Sequence, residues 1–408
     1  PYLMLAGELG NSTASDLDDL NQHWPRLQAL NLNTVLAPVY WELLEPEEGR
    51  FDFTLVDGLL EGARAHDLRL VLLWFGSWKN SMSSYVPGWV KRDQERFPRS
   101  RTSDDRALEI LSPFSEANRD ADARAFAALM RHLREVDGGH HTVLMVQVEN
   151  EIGMIPEARD HSQTANRHFA GEVPARLLEH LAAHRANLAP PLRSRWEAQG
   201  APTSGAWEEG FGPGLETDEI FMAWHFAVYA EAVAAAGRAE FDLPLFVNAA
   251  LIRPGRTPGE YPSAGPLPQV FDVWRAGAPT LDFLAPDIYF PNFVEWARAF
   301  DVPGNAFFVP ETGRQPEATP ANAFYAFGAH DAMGFSPFAI EDYGEDDPLG
   351  DAYGVLQGLA PLILEHQGQG TMEGVRPEVA FDGTVDESPR DLRLGDYTLH
   401  VGFVDPWT

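Results

Sequence analysis

Eight times along the chain a short run of apolar, β-prone residues is followed by a helical pattern, and this alternation constrains the fold more than any other feature. The strand candidates are residues 2–6, 34–38, 68–73, 142–148, 245–247, 283–286, 307–309 and 335–340. Between the first two, Leu17, Leu20, Trp24 and Leu27 recur at three- and four-residue spacing, which gives a helix one apolar face. The stretch holding Phe126, Leu129, Met130, Leu133 and Val136 reads as an amphipathic helix stopped at Gly138 and Gly139. Thr319 followed by Pro320 reads as the N-cap and first position of another helix. Strands joined by helices run parallel, so the choice lies between a closed barrel and an open doubly wound sheet. The open sheet usually carries a phosphate-binding glycine turn after its first strand, and none follows residues 2–6. The expected fold class is therefore α/β, a (β/α)8 barrel.

Two stretches break the regular alternation. An insertion after the fourth strand, residues 152–243, holds helical patterns at 174–184 and 218–239 with a glycine- and tryptophan-rich loop between them. Insertions at that face of a barrel usually shape a substrate pocket. After Gly370 helical periodicity gives way to strand-like stretches at 378–381 and 397–404. A barrel needs about 250 residues, and the expected division is a catalytic barrel over 1–366 and a β-rich segment over 370–408, the truncated start of a β-sandwich domain.

Charge and composition exclude several functions. A formal net charge of −31 repels nucleic acid and anionic membrane surfaces, so a neutral substrate is expected. With no cysteine, disulfides, thiolate nucleophiles and cysteine metal sites are excluded, while the redox compartment stays open. No uninterrupted apolar run approaches the roughly 20 residues of a membrane span. A start at Pro1 rather than methionine points to a removed leader, and so toward a periplasmic or secreted location. The oligomeric state is not readable.

The chemistry rests on glutamates. The fourth strand candidate runs into VQVENEIG (146–153), which places Glu149, Asn150 and Glu151 at its C-terminal end. The seventh runs into FFVPETGR (307–314), which places Glu311 at the same rim, where barrels collect their catalytic groups. Cleavage of a glycoside with retention needs two carboxyl groups about 5 to 5.5 Å apart, one protonated and one ionised. Glu149 shares a strand face with Glu151 by the period of two, so it stands as an alternative acid, with interior hydrogen bonding as its default role.

QVENEIG (147–153) is similar to the Gln-Val-Glu-Asn-Glu-Tyr-Gly motif of glycoside hydrolase family 35, the β-galactosidases. WELLEPEEGRFDF (41–53) and YVPGWVK (85–91) resemble two further stretches of that family, so the resemblance runs through residues 1–366. It implies Glu151 as acid/base, Glu311 as nucleophile, Asn150 as a ligand of the sugar 2-hydroxyl, and Tyr289 as the tyrosine that hydrogen-bonds the nucleophile. Two positions depart from the pattern: Pro38 replaces a sugar-contacting tyrosine and Ser77 a glutamate. The chain thus resembles a divergent bacterial subgroup whose members carry a β-rich C-terminal domain.

The remaining substrate-binding candidates are Glu42, Trp78, Trp207 and Asn248. Trp41, Trp74, Trp78, Trp89 and Trp207 lie in or near expected rim loops, where an indole face can stack on a pyranose ring, with core packing the equal alternative. Glu45-Pro46 is expected to fix a turn. His180 and His184 have the spacing of a metal pair but no HExxH pattern, so they read as a solvated helix face. GFGPG (210–214) reads as a turn rather than a nucleotide loop, and no acidic loop has calcium-ligand spacing. No metal and no cofactor are expected. These readings lead to a retaining exo-β-glycosidase, most closely a β-galactosidase. An endo-acting mannanase or glucanase and a non-catalytic sugar-binding barrel are the alternatives.

Overall fold

The computed structural model describes residues 2–403, so the last position of the 397–404 strand candidate and the chain end at Thr408 lie outside the described residues. The strands are β1 (Met4–Glu8), β2 (Thr34–Tyr40), β3 (Arg69–Phe75), β4 (Arg99–Arg101), β5 (Ala107–Leu111), β6 (Val143–Val148) and β7 (Leu245–Ala250). They continue with β8 (Phe283–Ile288), β9 (Val309–Thr312), β10 (Gly334–Pro337), β11 (Glu378–Val379), β12 (Val385–Asp386), β13 (Arg390–Leu394) and β14 (Tyr397–Val401). Eight of them are hydrogen-bonded in the closed order β1-β10-β9-β8-β7-β6-β3-β2. All eight expected barrel strands are present. Their side chains are almost entirely buried, as in parallel strands covered on both faces, which is why they read as unbroken apolar runs.

Residue packing divides the chain into two compact units. The first holds the residues up to Ala37, Gly58–Val71, and Ala285 onward. In it β1 lies between β2 and β10, with Ala6 opposite Thr34 and Met4 opposite Gly334. The buried Tyr353, in the Pro348–His366 helix, donates its hydroxyl to the carbonyls of Ala6 (2.8 Å) and Phe335 (2.7 Å), pinning that helix to two strands. The segment after Gly370 forms two antiparallel hairpins, β11–β12 and β13–β14. The 378–381 candidate shrinks to Glu378–Val379, and the side chains of β14 are mostly exposed.

The second unit comprises Pro38–Asp57 and Leu72–Leu284. Its framework is the parallel packing of two long helices, Glu116–Asp137 and Leu215–Glu240, along which Asp122 meets Tyr229, Phe126 meets Gly237 and Arg134 meets Glu240. Gly237 permits their close approach, because a Cβ there would fall 2.2 Å from the Phe126 ring. By length and composition the Leu215–Glu240 helix could cross a membrane, yet Phe221, Met222, Phe226, Tyr229 and Val233 are buried in the protein interior.

Three sequence readings need correction. The helix expected to start at Thr319 begins at Ala318 with Glu317 as its N-cap residue, and Thr319 instead donates its hydroxyl to Gly313 O and accepts from the Gln315 amide. The seventh barrel strand starts at Val309 rather than Phe307, so Glu311 lies within the strand. The β4–β5 hairpin, absent from the sequence reading, grows out of the segment after β3.

Candidate active site

In the second unit β6 ends at Val148, and the chain turns sharply: Glu149 has φ 62° and Glu151 φ 44°, both in the left-handed region that is costly for non-glycine residues. The alternation that would have put Glu149 and Glu151 on one strand face therefore does not continue past Val148. A second loop with the same strain, Asn80 (φ 50°) and Ser81 (φ 63°), lies against the first. The Ser81 amide donates to Glu151 O (3.0 Å), the Glu151 amide donates to Asn248 Oδ1 (2.9 Å), and Asn80 Nδ2 donates to Glu151 Oε2 (2.6 Å). The Asn150 amide donates to Trp78 O (3.2 Å). Asn248, a substrate-binding candidate from sequence, thus holds the backbone of Glu151.

Beneath this turn is a buried polar cluster. Glu149 Oε2 accepts from the Trp78 amide (2.7 Å). Asp122, from the Glu116–Asp137 helix, accepts from Trp74 Nε1 (2.8 Å), the Ser77 amide (3.1 Å) and the Tyr229 hydroxyl (3.3 Å). Ser77 Oγ and Tyr229 OH are 2.6 Å apart. Burial first, and the neighbouring Asp122 carboxylate second, raise Glu149 well above the usual carboxylate range, so the fold favours its protonated form. Gly76 is required here, since a Cβ would come 2.8 Å from Glu149 Oε1. Glu149 has the interior hydrogen-bonding role expected as its default, and Ser77, the departure from the resembled motif, belongs to the same cluster.

In the first unit Glu311 sits on β9 directly opposite Asp287 of β8, and Thr312 Oγ1 donates to Ile288 O (2.7 Å) to fix the register. The Tyr289 hydroxyl donates to Glu311 Oε2 (2.8 Å). Burial of that hydroxyl, followed by the charges of Glu311, Glu8 and Asp287, pushes Tyr289 far above its ordinary value, so it stays a donor. Glu8 and Asp287 were not found by sequence reasoning. Their signal was an acidic residue at the end of an apolar strand, MLAGE and FLAPDI.

Trp78 and Trp207 are corrected: their rings are enclosed and offer no open face to a sugar, being 0% and 1% exposed. Trp78 packs edge-on against Phe226 and Tyr229, and Trp207 opens the Trp207–Phe211 helix against Phe211, Phe221 and His225. Glu42 is ion-paired with Lys91 Nζ at 2.8 Å. Glu45 is buried and fixes its turn by accepting from Trp41 Nε1 and the Gly49 amide. His180 and His184 lie with ring centroids 4.2 Å apart and planes tilted by 31°, and GFGPG forms the turn between two helices, with Gly212 at φ 75° and Gly214 at φ 128°.

A glycoside hydrolase family 42 profile, described as Beta-galactosidase, matches residues 15–192. Residues 349–408 match a family described only as a domain of unknown function (DUF5597). That match takes in most of the Pro348–His366 helix as well as the hairpins. A protein of Xanthomonas manihotis described as Beta-galactosidase is 33% identical over 177 residues, which are 41% of this chain and 26% of that protein. The chain therefore spans about a quarter of the length of this relative.

Among solved structures, the β-galactosidase of Marinomonas ef1 superposes with a TM-score of 0.60 at 12% identity, over 89% of this chain and 60% of that one. That of Rahnella sp. R3 gives 0.60 at 16% identity, over 93% and 58%. The catalytic domain of a β-amylase from Paenibacillus polymyxa gives 0.55 at 11% identity, over 89% and 98%. Barrels of different specificity are thus matched similarly, so these likenesses establish the fold alone. The matching profile is family 42 rather than family 35: over residues 15–192 the chain resembles β-galactosidases of glycoside hydrolase family 42, and it shares the barrel fold of enzymes so named.

Proposed function

We propose that the chain carries the catalytic barrel of a retaining exo-β-galactosidase, which removes terminal β-galactosyl residues from oligosaccharides or plant-polysaccharide side chains. Glu311 is the nucleophile and Glu151 the acid/base. Glu311 attacks the anomeric carbon while Glu151 gives its proton to the departing oxygen, leaving a glycosyl ester on Glu311. Water deprotonated by Glu151 then attacks that ester, releasing a β-configured sugar and restoring both groups. No cofactor enters these steps. Asn150 is assigned to the sugar 2-hydroxyl, and Tyr289 orients and stabilises the ionised Glu311. The QVENEIG motif makes a divergent subgroup close to family 35 the finer assignment.

The observation that carries this reading is the hydrogen bond of Tyr289 to Glu311 at the C-terminal end of β9, with Glu151 held at the C-terminal end of β6. The family 42 profile match and the β-galactosidase relative add independent support. The test is hydrolysis of a panel of nitrophenyl β-glycosides by the purified chain. The β-galactoside is expected to be cleaved fastest, with kcat reduced at least 1,000-fold in Glu311→Ala. No cleavage of any sugar would overturn the reading, and activity indifferent to Glu311→Ala would overturn the assignment.

A further inference from the structure

In the second unit the β4–β5 hairpin, the start of the Glu116–Asp137 helix and the segment 162–164 enclose a recess of about 390 Å3. That volume is in the range of small-molecule sites. Three arginines line it, and two are neutralised: Arg96 by Glu48 (2.6 Å) and Arg101 by Asp105 (3.0 Å). The third, Arg99, is only 6% exposed, and its Nε and Nη1 have no hydrogen-bond partner. Burial pulls its affinity for the proton downward, and the charge of Glu109 opposes this. A guanidinium cannot escape this cost by deprotonation, so its charge persists at the edge of the recess.

A second feature points the same way. Ser115, on the recess wall, is the N-cap of a 22-residue helix, whose positive end favours an anion. The walls are fixed rather than loose. Buried Asp160 accepts from the Arg101 amide (2.9 Å), Ser112 Oγ (2.8 Å), and the Ser162 amide (2.7 Å) and hydroxyl (3.1 Å). Its charge is therefore engaged by four donors and is not spent on Arg99. Glu95 and Asp105 also line the recess, and among the described residues Arg99 is its one arginine without an ion pair.

We propose that this recess binds an oxyanion carried by a small molecule, with Arg99 as its principal ligand. The site is separate from Glu151 and Glu311 and does not depend on the activity assigned to them. The shared chemistry is a carboxylate, sulfate or phosphate group, and it can come from an acidic sugar or from a free inorganic ion. The volume favours the sugar, since a bare ion would leave most of the recess to water.

The test reads binding rather than turnover. The full chain is titrated calorimetrically with glucuronate, sodium sulfate and sodium phosphate at constant ionic strength, with glucose as the neutral control. Saturable binding of at least one oxyanion and none of glucose is expected. Affinity should drop at least tenfold in Arg99→Gln, and also in Gln163→Glu, which adds a negative charge at an exposed position on the recess. Glucuronate binding more tightly than sulfate and phosphate assigns the site to an acidic sugar; the reverse assigns it to a free ion. If Arg99→Gln does not fold, Gln163→Glu decides alone. No saturable binding of any of the three anions, or affinity unchanged in the folded variants, would overturn the proposal.

Discussion

At the scale of single residues, the most informative side chain is one that does no bond-breaking. Glu149 is buried where its protonated form is favoured, and it anchors the turn that presents Glu151 through the Trp78 amide. Glu149→Gln keeps the shape and the neutral charge, so the variant is expected to fold and to keep kcat within a few-fold. Glu149→Ala leaves the Trp78 amide unpaired and a cavity behind, at a cost of about 2–4 kcal/mol. The displaced turn should also lower kcat roughly 100-fold. The pH dependence has a definite sign. The raised value of Glu149 means that the folded state holds a proton which the unfolded chain releases above about pH 4.3. Its contribution is therefore full below that pH and is lost as the pH rises toward the folded value. Chemical denaturation of Glu149→Gln and the parent chain should show a stability difference in favour of glutamine that grows with pH. A constant difference would contradict the protonated state. His225 works in the opposite direction: burial, then His168, lowers it to about 3, so it stays neutral in the fold. Stability should fall as the pH drops from about 6.5 toward 3, and His225→Phe should flatten that part of the profile.

The scale of elements shows what could be read in advance. The barrel strands were legible because parallel strands buried on both faces are short unbroken apolar runs, as in RLVLLWF (69–75). The β4–β5 hairpin was not, because RSR and ALEIL are brief and interspersed with charge. Motif and strand end together singled out Glu151 and Glu311, which follow β6 and lie within β9 respectively. Asp122 was missed, since EANRDADARAF looks like a solvated helix face, and only the donors Trp74, Ser77 and Tyr229 reveal that it points inward. Trp78 and Trp207 were assigned to rim loops because composition cannot distinguish an exposed indole from a buried one. The packing of the Glu116–Asp137 and Leu215–Glu240 helices makes its own prediction. Gly237→Ala must push Phe126 aside, so urea denaturation should find a loss of about 1–3 kcal/mol with an unchanged m-value. A neutral result would mean that the two helices are packed more loosely than described. Tyr353→Phe leaves the Ala6 and Phe335 carbonyls without this donor and should cost about 1–3 kcal/mol.

For the whole molecule, the strand order closes into a barrel, a fold whose parallel strands deliver their C-terminal ends to one face. The fold does not choose the sugar, as the similar likeness to a β-amylase domain makes plain. The central claim is double displacement by Glu151 and Glu311, and stereochemistry tests it most directly. Proton NMR of a nitrophenyl β-galactoside during hydrolysis should show the β-anomer of galactose as the first product, with the α-anomer growing in later by mutarotation. An α-anomer formed first would contradict the account.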